Sequence, residues 1–158
     1  MNSSTDGVIW GEGASFFVVG KDKTKHSYAK LKNIQISNKV ELSEVQDFIQ
    51  NFLAQNNLSH HDIDAVILGF SGDADSDVYY TKAADMFTAS SQLYYKHLSG
   101  EFNTSSGFST FIACHILKEQ QIPEVMMINE EKKESVKYIL LYNHLAGSDH
   151  SLVLLERA

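Results

Sequence analysis

Cysteine and proline are almost missing from this chain of 158 residues, which has one of each. A lone Cys114 cannot form an internal disulfide, so a reducing, cytoplasmic setting is the expectation. Positive charge is scarce too: 13 lysines and arginines stand against 20 acids, for a net charge of -7. Binding to phosphates by counterion release needs a clustered basic surface, so nucleic acid and anionic membranes are excluded as partners. The densest basic stretch, residues 21–25, is interrupted by Asp22 and reads as a solvated turn. No apolar run approaches the ~20 residues that cross a bilayer. Residues 1–7 have neither the cationic start nor the apolar stretch of a signal peptide.

What is present suffices for a core. Hydrophobic residues make up 43% and aromatics 11%, enough for one domain spanning residues 1–158. Residues 14–19 (ASFFVV) read as a buried strand between Gly13 and Gly20. Residues 27–36 read as a half-exposed strand whose alternation changes phase near Asn33, which predicts a bulge. Ser43 and Gln46 form a candidate capping box for a helix with Val45, Phe48, Ile49, Phe52 and Leu53 on one stripe, ended by Asn56 and Asn57. The unbroken apolar run at 65–70 suits a central strand covered on both faces.

Asp75 or Ser76 then caps a helix to Phe87 with Tyr79, Ala83 and Met86 inward. A short strand at 92–95, a loop at 96–101 and a helix at 104–120 follow, with a stop at Pro123 and an edge strand at 125–128. Residues 136–142 and 151–155 close the chain as an antiparallel pair around an eight-residue loop. This order predicts an α/β fold with helices layered on one mixed, mainly five-stranded sheet.

Several chemical constellations have simpler readings. Cys114 and His115 are adjacent, so on a helix they point roughly 100° apart and do not face each other. The acids Asp73, Asp75 and Asp77 imitate the start of a calcium loop, but Val78 and Ala84 stand where such a loop needs glycine and glutamate; capping a helix N-terminus explains them better. His60, His61, Asp62 and Asp64 lie in a polar turn before a strand. Gly11-Glu12-Gly13 precedes a strand, whereas a dinucleotide fingerprint follows one.

Residues 96–113, KHLSGEFNTSSGFSTFIA, place a lysine four positions before a glycine and then small residues running into an apolar helix. Together with GVIWGEGASFFVV at 7–19, this segment resembles the β-ketoacyl synthase branch of the thiolase-like superfamily. The resemblance covers roughly residues 7–158 and only the later part of such an enzyme. It implies a thiolase-like half-fold in which residues 1–6 are a leader or boundary segment, and in which the nucleophilic cysteine belongs to a first half not in this sequence. It implies no cofactor and no metal. As partners it implies an acyl carrier protein, acyl thioesters, and a homo- or heterodimer with a ketosynthase-like subunit.

The same resemblance assigns the site positions. Ketosynthases use two histidines to assist decarboxylation and steady the enolate. The first falls on Gly69, which has no side chain, and the second on Glu101, a carboxylate that opposes a developing enolate. Lys96, Gly100, Asp77 and Asn143 match the family's scaffold, while Tyr80 stands for its glutamate. The family's Gly-Phe-Gly-Gly gate is missing from residues 143–150. The catalytic set is therefore expected to be empty, and Gly69, Asp77, Lys96, Glu101 and Asn143 to be degenerate site positions. That reading predicts a chain-length-factor-like subunit or fragment in fatty-acid, polyketide or polyene biosynthesis. Its rivals are a divergent acyltransferase using Glu101 with His144 or His150, active only with its missing half, and a structural half-domain that binds a partner.

Overall fold

The computed structural model describes residues 7–158, so the leader expected at 1–6 lies outside the described residues. Nine elements follow in chain order: β1 (Ala29–Ser37), α1 (Val45–Gln55), β2 (Ala65–Leu68), α2 (Ala74–Ala84), β3 (Ser91–Tyr94), α3 (Lys96–Ser99), α4 (Ser105–Glu119), β4 (Tyr138–Leu145) and β5 (Ser148–Arg157). The strands form one mixed five-stranded sheet in the order β1-β5-β4-β2-β3. β2 runs parallel to β3 and β4, while β5 runs antiparallel to β4 and β1. This is the α/β layering expected from the sequence.

The run at β2 is apolar at every position because both of its faces are covered. Side chains alternate across a strand, so Val66 and Leu68 enter one core and Ala65 and Ile67 the other. On the first face lie α1 and α2, with Val45, Ile49, Phe52, Leu53, Tyr80 and Ala83 buried. On the second lies α4, with Ile112, Ala113, Ile116 and Leu117 buried. The carboxyl ends of β2 and β3 therefore open at one end of the sheet, where α2 and α3 begin.

The bulge expected in β1 is present between Leu31 and Asn33. The stripe on α1 is as expected, but its start is not: Glu41 and Glu44 form the capping box, around a 3-10 turn at Leu42–Glu44, in place of Ser43 and Gln46. Asp73, not Asp75 or Ser76, caps α2 by accepting from the Asp75 N–H. The inward residues of α2 are Tyr80 and Ala83, with Tyr79 only half-buried. The expected edge strand at 125–128 is a 3-10 turn at Glu124–Met126 followed by one antiparallel bridge from Met127 to Leu93.

Two corrections are larger. Residues 11–20 hold no regular secondary structure, and Phe16 and Val19 are 94% and 85% exposed. No strand of the sheet runs beside this segment, so its apolar and β-branched content has no strand to pair with. The eight-residue closing loop is also absent. β4 and β5 run on through it and meet at a two-residue turn, Ala146 and Gly147, with φ of 47° and 77°. Two successive left-handed residues make a type I′ turn, whose twist matches that of paired strands.

Candidate functional site

The two motifs that carry the resemblance meet in space. The strand-like segment at 7–13 crosses the sheet's open end as a strap. The Gly7 N–H donates to the Gly72 carbonyl (3.0 Å), Glu101 N–H to Ile9 (2.8 Å), and Gly11 N–H back to Glu101 (3.0 Å). Trp10 and Glu101 form a parallel bridge. Gly11 and Gly100 pack backbone on backbone: a Cβ on Gly11 would lie 2.1 Å from the Ser99 carbonyl, and one on Gly100 would lie 2.7 Å from the Gly11 nitrogen. Gly100 also has φ of 74°, so glycine is required there twice over.

Beneath the strap, Lys96 is the first residue of α3 and only 5% exposed. Its ammonium is ion-paired with the buried Glu101 carboxylate and lies 5.8 Å from the centre of the Tyr80 ring and 6.0 Å from that of Tyr95. Burial pulls the Lys96 pKa below its usual value, while Glu101 pushes it back up by hydrogen bond and charge. The other oxygen of Glu101 accepts from the Ser105 hydroxyl at 3.2 Å. Both carboxylate oxygens are thus engaged.

Gly69 directly follows β2, at the centre of the site. The space where its side chain would stand is filled: a Cβ there would meet the Asn143 Oδ1 at 2.2 Å and the Tyr80 hydroxyl at 2.6 Å. The hydroxyls of Tyr80 (3.1 Å) and Tyr95 (3.2 Å) both donate to that same Asn143 oxygen. Tyr80 in turn accepts from the His144 N–H at 3.0 Å. Burial raises the phenol of Tyr95 to about 12 and raises Tyr80 as well, so both remain neutral donors.

Of the five expected positions, Gly69, Lys96, Glu101 and Asn143 are brought together through Tyr80, Tyr95 and Ser105. Asp77 serves the rim. It accepts from Ser71 N–H (3.0 Å) and Gly72 N–H (2.9 Å), holding the turn after β2, and its charge reaches Lys96. Sequence reasoning missed the roles of Tyr80 and Tyr95. The available signal for Tyr80 was a pair of departures from the family pattern, a residue lost at Gly69 and one gained at Tyr80, on neighbouring elements.

The remaining candidates are dispersed. Cys114 packs toward the α4-side core, with burial raising its thiol pKa, whereas His115 lies against Phe111 and Tyr28. Asp73 is a cap, and Asp62 accepts from Ser59 in a 3-10 turn. No group of three or more metal-binding side chains occurs among the described residues, nor is any helix there long and apolar enough to cross a membrane. Glu101 bonds to Lys96 and Ser105, not to His144 or His150.

No protein-family model matches the sequence, and no curated protein matches it. Solved structures do match. One is a type II polyketide acyl-carrier protein in complex with its ketosynthase bound to the hexaketide, with a TM-score of 0.67 and 14% identity over 84% of this chain and 39% of that one. The ketosynthase from module 1 of the bacillaene synthase of Bacillus amyloliquefaciens FZB42 matches with a TM-score of 0.63 and 16% identity over 83% of this chain and 30% of its own. A keto synthase–chain length factor, PfaC, gives 0.67 and 16% over 87% of this chain and 14% of its own. The chain therefore spans less than half the length of these structures, and over that length it has the fold of ketosynthases and chain length factors.

Proposed function

We propose that this chain is a ketosynthase-like subunit or part that shapes an acyl site without condensing, as a chain-length factor does. It serves fatty-acid, polyketide or polyene biosynthesis with an acyl carrier protein and a ketosynthase-like partner. The observation that carries this reading is the filled space beside Gly69, where the Tyr80 hydroxyl and Asn143 take the volume that a catalytic imidazole needs. Glu101 supports it, because a carboxylate paired to Lys96 offers an enolate no proton donor. Proton donors near the site, Tyr80 and Tyr95, are spent on Asn143.

A malonyl-acyl carrier protein decarboxylation assay on the purified chain tests this. Release of carbon dioxide no faster than the uncatalysed background is expected, with or without a ketosynthase-blocking thiol reagent. Turnover that disappears in Glu101→Gln would overturn the reading in favour of a divergent acyltransferase.

A further inference from the structure

Gly147, in the tight turn between β4 and β5, holds two buried histidines with the two sides of its backbone. Its N–H donates to His144 Nδ1 at 3.1 Å, and its carbonyl lies 3.1 Å from His150 Nε2. A carbonyl only accepts, so His150 carries its proton on Nε2, and its Nδ1 receives the Tyr142 hydroxyl at 2.9 Å. An amide N–H only donates, so His144 Nδ1 is bare and the His144 proton sits on Nε2. That Nε2 is enclosed and has no hydrogen-bond partner. The turn therefore holds His144 neutral, whereas the partners of His150, 5.3 Å away, accept either state of its ring.

We propose that this turn is a proton-operated latch, in which protonation of His144 at Nδ1 breaks its bond from Gly147 and opens the β4–β5 hairpin end. The two histidines differ in what a proton does to them. At His150 the Tyr142 hydroxyl rotates from donor to acceptor and the contact survives. At His144 the new N–H would point at the N–H of Gly147, and the contact becomes repulsive.

The groups facing His144 come from four elements. β4 supplies Tyr142, and β5 supplies His150 with Asp149 beside it. α2 supplies Tyr79, the stacked Tyr80 and, from its cap, Asp73. α3 supplies Lys96, itself paired to Glu101. Burial dominates; with His150 and Lys96 it pulls His144 down to about 3, against a weaker opposing pull from Asp73. Burial lowers His150 as well. The closed turn thus refuses the proton, whereas an open one takes it up near the ordinary histidine value of about 6.5. Each pH unit below that value favours the open turn about tenfold.

Opening lifts His144 off the Tyr80 ring, on which it stacks at 4.1 Å. Tyr80 is the side chain that fills the space beside Gly69, so the latch reaches the site directly. The inference stands on the turn alone and does not depend on the ketosynthase reading.

Amide hydrogen exchange of the full chain, read by NMR and corrected for intrinsic rates, tests it. The Gly147 protection factor should lie below that of Ile67 in the central strand and decline about tenfold per pH unit below about 6.5. His144→Gln, which keeps an acceptor for Gly147 but gains no proton, should flatten that decline. A Gly147 protection factor that does not change with pH would overturn the latch. So would one equal to that of Ile67 throughout, since the turn would then open only when the whole sheet unfolds.

Discussion

Residues 14–19 and 65–70, ASFFVV and AVILGF, are closely alike as sequences and opposite as structures. The second supplies β2, buried at all four strand positions between two parallel neighbours. The first is irregular, unpaired and mostly bare to solvent, with Phe16 among the most exposed residues. Apolar, β-branched and aromatic content sets a preference for pairing; the partner strand decides whether that preference is met. The difference between the two lies outside both segments. Ala65–Leu68 has Ser91–Tyr94 on one side and Tyr138–Leu145 on the other. Residues 14–19 make no backbone hydrogen bond to other described residues, and the strap that leads into them is held only at Gly7, Ile9 and Gly11.

Substitutions should separate these two segments most sharply at their centres. Ile67→Asp puts an unpaired charge in the α4-side core and should cost more than about 4 kcal/mol, with no folded protein seen by circular dichroism. Glu101→Ala leaves the buried Lys96 ammonium without its partner, and a loss of about 3 kcal/mol is expected in urea titrations. Acid acts on the buried side of the comparison. His144 is held below its ordinary value in the folded state, so its contribution is complete above pH 6.5 and fades as the pH falls toward about 3. His144 alone should take about 1.4 kcal/mol per pH unit from folding stability in that window, and His144→Gln should reduce the slope by that amount, leaving the part due to His150 and the carboxylates.

The strap and the exposed segment that follows it give the smaller effects. Gly11→Ala collides with the Ser99 carbonyl, so it should free the strap and strip protection from the Glu101 amide while leaving that of Ile67 unchanged. Val18→Ser should move the urea midpoint by less than about 0.5 kcal/mol equivalent, because nothing buries that side chain. A large loss at Val18 would erase the contrast between the two segments.

Where side-chain period and burial coincide, the fold was legible in the sequence: the α1 stripe, the β2 run, the α4 helix and the bulge near Asn33 all stand where the pattern put them. Legibility failed where the deciding contact is distant or the turn chemistry is unusual. The sequence pattern pointed to Ser43 with Gln46 at the α1 start, but the chain caps earlier, at Glu41 with Glu44, around a 3-10 turn. Ala146 precedes Gly147 in the hairpin turn, where asparagine or aspartate is the usual signal, and the flanking histidines disguised two strands as a loop. At the site, the family pattern named Gly69, Lys96, Glu101 and Asn143, but it could not say what fills the gap at Gly69. That depends on a Tyr80 ring delivered from another element across the end of the sheet.

The strand order has a further consequence, for the timing of folding. β5 is the last strand of the described chain, yet it lies inside the sheet between β1 and β4, and Ala29 pairs with Arg157. Joining positions so far apart carries a large loop-closure cost before any pairing energy is returned. During synthesis β1 must therefore wait, unpaired, until residue 157 has left the ribosome. The backbone edge of β1 stays unpaired through that interval beside Leu31, Ile34 and Ile36, which remain half-exposed or more even in the folded chain, and this makes it the stretch on which a chaperone would act.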